Sequence, residues 1–297
     1  MIVVRIYEGL GNQMFEYAYA YALNERMKKK GIRVYLDMRE EAVTLFDTTR
    51  YYRPSVLHKF RIGLPAASEE MLRHWNYLSE KTMVQKAICR LSDLGKWKYK
   101  RFKEHEFNYR KEHLKIKNYT YAEGWFQHDQ YFQKYRNSLL KEFTLKEKWE
   151  IPKQLQDILN DYQVISVHVR RGDYVSDPAV KRSMGICGKD YYLKAVDYLK
   201  ERTHRPYLFL FTNDAKWVEE HLKFDVPHTV ISNRFGLSDI QEMMLMSRCN
   251  HNIIANSTFS WWGAWLNTHE DKIVIAPKRW FMDRTRKNIA MKDWIKM

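Results

Sequence analysis

The residues best suited to chemistry fall in one run, His168-Val169-Arg170-Arg171-Gly172-Asp173-Tyr174, directly after the apolar stretch Val164 to Val169. If that stretch is a strand, alternation places His168 and Arg170 on one face and Arg171 at its carboxyl-end mouth. Two guanidiniums there suit a diphosphate, because a planar fork donates paired hydrogen bonds to phosphate oxygens and stays charged at any working pH. The same residue types also allow a structural pair, Arg171 with Asp173, capping the turn. Residue types alone leave these two readings even.

Phe211-Thr212-Asn213-Asp214 repeats the pattern of an apolar run ending in polar residues ahead of a helical segment. Helix capping accounts for Asn213 and Asp214; the functional reading is that one polar tip, Asn213, also lines a ligand cleft. The run from Cys249 to Trp265 reads as a buried strand, a polar turn and an amphipathic helix. Its turn, Asn256 to Ser260, would set hydroxyls and backbone N–H groups at a helix N-terminus, a ready anion site. The Trp residues that follow read as core. Near the start, Gly9-Leu10-Gly11-Asn12-Gln13 lacks both the third glycine of a dinucleotide fingerprint and a Walker lysine. Its short polar residues, Asn12 and Gln13, sit at a strand-helix corner from which they could reach across a cleft. No two aspartates are spaced D-x-D, and no His/Cys/Asp/Glu grouping has metal-ligand spacing, so no divalent ion is implied.

These residues need positioning elements. In the first half, a strand-like run from Ile2 to Tyr7 is followed by a glycine turn, a helix over Asn12 to Lys30 closed by Gly31, and a second strand at Val34 to Leu36. Helical periods follow around Ser68 to Leu94. From Ile151-Pro152 onward, strand-like runs at Val164 to Val169, Tyr207 to Phe211, Thr229 to Ser232, Asn252 to Ala255 and Ile273 to Ala276 alternate with helical segments. That rhythm predicts a parallel sheet covered on both faces, with ligand at the carboxyl ends of the strands. A boundary near residue 150 divides the chain into two α/β domains, 1–150 and 151–297, facing a cleft.

The bulk numbers agree with a folded enzyme-sized chain. Its 297 residues are 45% hydrophobic, which excludes disorder and supports a large core or two adjoining ones. No apolar run approaches the length of a membrane span, and Arg5 interrupts the opening Ile2-Val3-Val4 before a secretory segment could form; the expectation is a cytoplasmic protein. The three cysteines are far apart and read as reduced thiols. The formal charge of +15 favours phosphate-rich partners, whether nucleotide, nucleic acid or anionic lipid. Part of the excess lies between Lys96 and Lys117, where nine basic residues and three glutamates alternate with Trp97, Tyr99, Phe102, Phe107 and Tyr109. A solvated element with inward aromatics explains that segment, and an anionic-surface patch is the rival.

Four motifs together resemble the alpha-1,2-fucosyltransferases, glycosyltransferase family 11. They are Gly9-Leu10-Gly11-Asn12-Gln13-Met14-Phe15, His168 through Tyr174, Phe211-Thr212-Asn213-Asp214, and His251 through Trp262, in the family's order. The resemblance implies two Rossmann-like domains of GT-B type, an acceptor side in the first half, a donor site in the second, inversion at the anomeric carbon, and no metal. Carried over, Arg170 is similar to the arginine that grips the donor's β-phosphate, and His168 to a residue of the guanine and phosphate pocket. Glu242 stands where related enzymes have an aspartate that accepts hydrogen bonds from guanine. Thr258, Phe259 and Ser260 resemble the pyrophosphate turn, and Asn12 the amide that approaches the reacting sugar. Many bacterial members have Gly where this chain has Glu8. Because the chain starts at its first strand, it resembles the soluble bacterial type.

The implied reaction is attack by the 2-hydroxyl of a galactoside on C1 of fucose in GDP-β-L-fucose, releasing GDP. Catalytic roles are expected for Arg170, Asn12 and Asp173, the last as the nearest candidate base, with Asp177 and Glu8 as other carboxylates. Substrate contacts are expected for His168, Arg171, Glu242, Asn213, Gln13 and the Ser257 to Ser260 turn. No cofactor is implied beyond the donor itself. The partners expected are GDP-fucose, a galactose-terminated or lipid-linked glycan, and an anionic membrane touched peripherally at its inner face. No nucleic acid is expected. A related GDP-deoxyhexose donor, or a non-enzymatic polyanion-binding protein, are the rival readings.

Overall fold

The computed structural model of the chain describes residues 1–39, 54–76, 99–104 and 108–297. They divide into two compact units, Met1–Glu147 and Lys148–Met297.

In the first unit, strands β1 (Ile2–Arg5), β2 (Val34–Asp37), β3 (Lys100–Lys103) and β4 (Thr120–Glu123) form a parallel sheet ordered β2-β1-β4-β3. Helix α1 (Leu10–Met27) starts at Gly9 and leads into a 3-10 turn closed by Gly31 at φ +67, a left-handed position glycine takes without strain. Gly11 therefore lies inside the helix rather than in the turn ahead of it. Thirteen of the 18 residues of α1 are buried, including Glu16, so this is a core helix rather than a one-sided one. Tyr19 stacks on Phe126 with centroids 3.7 Å apart, and Phe15 and Tyr17 pack edge-on against Phe132 and Phe143.

Among the described residues, strand β3 reads Lys-Arg-Phe-Lys and sits at a sheet edge, where charge is tolerated because one side of the strand has no partner strand among them. The described aromatics of the basic segment do pack inward: Tyr99 on Trp75 and Tyr119, Phe102 on His113 and Phe126, Tyr109 on Tyr131. Arg101 also turns in, donating to the Trp75 carbonyl and lying 5.3 Å from the Tyr121 ring centroid. Trp97 and Phe107 lie outside the described residues, as does most of the helical stretch expected over Ser68 to Leu94. Of that stretch the described part is α2 (Glu69–Asn76). After β4 a short helix, α3 (Arg136–Glu142), closes the unit.

The second unit carries a six-stranded parallel sheet, ordered β10-β9-β8-β5-β6-β7. The strands are β5 (Gln163–Val169), β6 (Pro206–Thr212), β7 (His228–Val230), β8 (His251–Ile253), β9 (Val274–Ala276) and β10 (Ile295–Lys296). Helices α4 (Lys153–Asp161), α5 (Gly172–Ser176), α6 (Pro178–Met184), α7 (Lys189–Lys200), α8 (Ala215–His221), α9 (Asp239–Met246) and α10 (Thr258–Leu266) connect or cover them. Alternation along β5 sends Ile165, Val167 and Val169 into one core with Tyr192, Val196 and Leu199 of α7. Val164 enters the opposite core with Leu155, Phe209, Phe211 and Leu245. A sheet buried on both faces explains why β5 and β6 read as near-continuous apolar runs. Trp261, Trp262 and Trp265 of α10 are all fully buried, which makes them core residues.

Candidate functional site

Strand order turns at the β5/β8 boundary: β5, β6 and β7 step one way and β8, β9 and β10 the other. Loops leaving β5 and β8 therefore diverge and open a crevice at the carboxyl ends, where open parallel sheets bind ligands. Both densest motifs end here, the His168-to-Tyr174 run after β5 and the Asn256-to-Ser260 turn after β8.

His168 shares the β5 face of Val164 and has its ring 5.4 Å from Phe259. It is 6% exposed, and its Nδ1 is buried without a hydrogen-bond partner. Burial, reinforced by the neighbouring Arg170 charge, pushes the imidazole down to about 3. It is thus neutral at physiological pH, with one donor and one acceptor nitrogen. An orphaned polar atom at a ligand crevice is costly unless a ligand or water satisfies it.

The two arginines separate. Arg170 Nη2 pairs with Asp173 Oδ1 at 2.7 Å, its guanidinium lies 5.3 Å from the Tyr174 ring, and its Nε is buried without a partner. Tyr174 in turn donates to the Asn256 carbonyl, linking the β5 loop to the β8 loop. Arg171 goes elsewhere. Its Nε donates to Asp214 at 3.0 Å, its guanidinium covers the Trp217 ring at 4.0 Å, and its backbone N–H donates to Asn213 Oδ1 at 2.9 Å. The structural pair considered from sequence, Arg171 with Asp173, is therefore corrected: Asp173 holds Arg170, and Arg171 binds a carboxylate 43 positions away. Asp214 also caps α8 by accepting from Trp217 N. Gly172, at φ +34, packs so closely on Asn213 that a Cβ would lie 2.2 Å from its Nδ2. Arg171 and Asn213, for which substrate contact is expected, are thus engaged with each other and with Asp214 in bracing the loop.

Ser257 is the N-cap of α10 and makes no side-chain cap bond, so its hydroxyl does not compete for the N–H groups of the first turn. Thr258, Phe259 and Ser260 form that turn, whose N–H groups have no carbonyl four residues back within the helix. Ser260 is 1% exposed and bonds back to the Ser257 carbonyl, so its contribution to the turn is its backbone. Asn256 pins the turn by donating to the Met184 and Trp280 carbonyls. Beneath it, Asn252 donates to Ser166 and accepts from Asn267, a fully buried network that makes the first part of this motif a brace.

Further along the same edge, Glu242 of α9 accepts from Ser232 Oγ at 2.7 Å, and Ser232 Oγ accepts from Thr212 N at 3.0 Å. A capping box between Ser238 and Gln241 sets the start of α9. Burial raises the Glu242 carboxyl to about 7, against the Ser232 hydrogen bond and with a small contribution from Asp239. Sequence reasoning gave Ser232 and Tyr174 no role of their own and placed Asn256 only in the turn ahead of α10. Their bonds join separate loops, which no local pattern announces.

Asn12 and Gln13 lie in the first unit. Asn12 donates to Glu8 Oε2 at 2.5 Å and accepts from Gln127 Nε2 at 3.0 Å. Gln13, expected to touch substrate, is 1% exposed; its amide donates to the Glu8 and Pro54 carbonyls and accepts from Val56 N. It braces two loops. Among the described residues no group of three or more His, Cys, Asp or Glu could hold a metal ion, and no helix is long and apolar enough to cross a membrane.

The second unit thus offers a helix start, an arginine fork, a neutral imidazole and a carboxylate along one sheet edge, a set suited to an anionic ligand with a hydrogen-bonding base. The family description of glycosyl transferase family 11 matches residues 1–297. An O-antigen biosynthesis glycosyltransferase, WbnK, of Escherichia coli is 32% identical over 97% of this chain and 98% of its own. An alpha-1,2-colitosyltransferase of Escherichia coli is 32% identical, covering 95% and 92%. Galactoside alpha-(1,2)-fucosyltransferase 2 of Oryctolagus cuniculus is 26% identical, covering 90% and 67%. With a match that runs from the first residue to the last, the chain belongs to glycosyl transferase family 11.

Proposed function

We propose that this glycosyltransferase moves L-fucose from GDP-β-L-fucose to the 2-hydroxyl of a galactoside, inverting the anomeric centre and needing no metal. The observation that carries the reading is Arg170: its Nε is buried without a partner on the loop that leaves β5, and its guanidinium lies over Tyr174, which is bonded to the Asn256 carbonyl just ahead of α10. Departure of GDP builds negative charge on the β-phosphate. A guanidinium and helix N–H groups fixed in advance at that position stabilise the transition state more than the ground state. Glu242, held by Ser232, would accept from the N–H donors of guanine, and His168, neutral and with Nδ1 unpartnered, would hydrogen-bond in the guanine and phosphate pocket. Asp173 would hold Arg170 in place rather than act as the base.

A second donor, a related GDP-deoxyhexose, is favoured by one observation, the 32% identity to an alpha-1,2-colitosyltransferase. NMR of products after incubation with GDP- and UDP-sugars and simple galactosides separates the two. The proposal expects an alpha-1,2-linked fucoside from GDP-fucose. Transfer from another GDP-deoxyhexose alone selects the second donor, and steeply salt-dependent polyanion binding without turnover with any donor overturns both.

A further inference from the structure

In the first unit β1 and β4 are parallel neighbours at the centre of the sheet, and the loops leaving their carboxyl ends carry a second set of polar and aromatic groups. After β1 come Tyr7, Glu8 and, at the start of α1, Asn12; after β4 come Trp125, Phe126 and Gln127. Tyr7 and Trp125, both half-buried, lie with ring centroids 6.1 Å apart at an interplanar angle of 43°. Glu8, Asn12 and Gln127 form a continuous chain, Gln127 Nε2 donating to Asn12 Oδ1 and Asn12 Nδ2 to Glu8 Oε2. The two loops share backbone strain: Glu8 has φ +61 and Phe126 φ +48, left-handed positions that glycine occupies without cost and these side chains do not. Two carboxyl oxygens of the same neighbourhood, Glu16 Oε1 and Glu104 Oε1, are buried without a partner, and the Tyr7 backbone N–H donates to Glu16 Oε2. Aromatic faces, fixed amides and carboxylate acceptors at the carboxyl ends of parallel strands are the chemistry that recognises a saccharide.

Resting on the transferase reading above, we propose that these two loops form the acceptor-saccharide wall and that Glu8 is its specificity-determining residue, accepting hydrogen bonds from acceptor hydroxyls. A carboxylate has about four lone-pair positions, so it can hold Asn12 and take a sugar hydroxyl together. The strain at Glu8 argues against a purely structural role. Glycine at this position would adopt the same backbone freely and leave the turn of Gly9 onto α1 intact. A carboxylate held against that strain points to what the carboxylate binds.

The test uses the full-length chain and the variants Glu8→Gly, Glu8→Gln and Trp125→Ala, with lactose and methyl β-galactoside as acceptor probes. Glu8→Gly should raise the acceptor KM about tenfold or more, the range expected for loss of a hydrogen bond to a charged group. Its melting temperature should be no lower than that of the unsubstituted protein, because the strained backbone is relieved. Glu8→Gln, keeping one acceptor oxygen, should raise KM less, and Trp125→Ala should raise it for both probes. Acceptor KM values unchanged in Glu8→Gly and Glu8→Gln overturn the proposal, as does a fall in melting temperature and kcat at constant KM, which marks a structural role. GDP titration of the unsubstituted protein keeps the two readings apart: absent GDP binding overturns the transferase reading and this proposal with it, whereas GDP binding with unchanged KM in the variants overturns this proposal alone.

Discussion

Replacing Arg170 by lysine keeps the charge and removes the planar fork, and the structure sets different sizes for its two consequences. The Arg170–Asp173 pair is partly open to solvent, its side chains 23% and 37% exposed, so its share of stability is at most about 1 kcal/mol. Lysine can keep part of that pairing, and the melting temperature should fall by no more than about 2–4 °C. Turnover should respond far more. Removing a preorganised donor from a developing anion costs about 10²-fold or more in kcat, equivalent to about 2.7–4 kcal/mol of barrier. GDP affinity should fall too, since the product carries the same β-phosphate. The assay follows GDP release with GDP-fucose and a galactoside, GDP binding by calorimetry and thermal unfolding, all on one preparation. A kcat within about threefold of the unsubstituted enzyme, alongside a clear loss of melting temperature, would refute the phosphate role and leave Arg170 a structural partner of Asp173.

Asp173→Asn should lower kcat by less than about tenfold and leave the pH–rate profile in place, because Asp173 holds Arg170; removal of a true general base would cost 10²- to 10⁴-fold. For Glu242, whose carboxyl is raised to about 7, GDP affinity should be steady above that pH and fall by up to about tenfold per unit below it, since guanine N–H donors require the carboxylate; Glu242→Gln should flatten this dependence in calorimetric titrations. The folded value lies above the ordinary 4.5, so ionising Glu242 costs stability: the penalty is absent below pH 4.5 and complete above about 7, and Glu242→Gln should gain melting temperature at pH 8 relative to pH 4. Activity should survive excess chelator, and loss of turnover restored by magnesium or manganese would remove the claim of metal independence.

Chain order and residue type alone reveal much of the second unit. Strands buried on both faces must be apolar throughout, so β5 and β6 stand out as Val164 to Val169 and Tyr207 to Phe211, and the polar residues that end them mark the carboxyl edge where ligands bind. The start of α10 was equally legible, because a Ser-Thr turn ahead of a Trp-rich run is a local signal. Edge strand β3 was not, since Lys-Arg-Phe-Lys is permitted only by its place at the margin of the sheet. Tertiary structure alone decided how the polar groups pair. Arg170 and Arg171 are adjacent in sequence and chemically identical, yet one takes Asp173 and keeps a buried Nε unpartnered, while the other is drawn to Asp214 and Trp217 because β6 runs beside β5 and brings them near. Gln13 became a brace because the loop at Pro54 to Val56 supplies backbone partners from 41 and 43 positions away. The strain at Glu8 is a backbone angle that no residue pattern displays. Composition and periodicity record what each residue prefers; which partner satisfies it depends on what the fold places within about 3 Å.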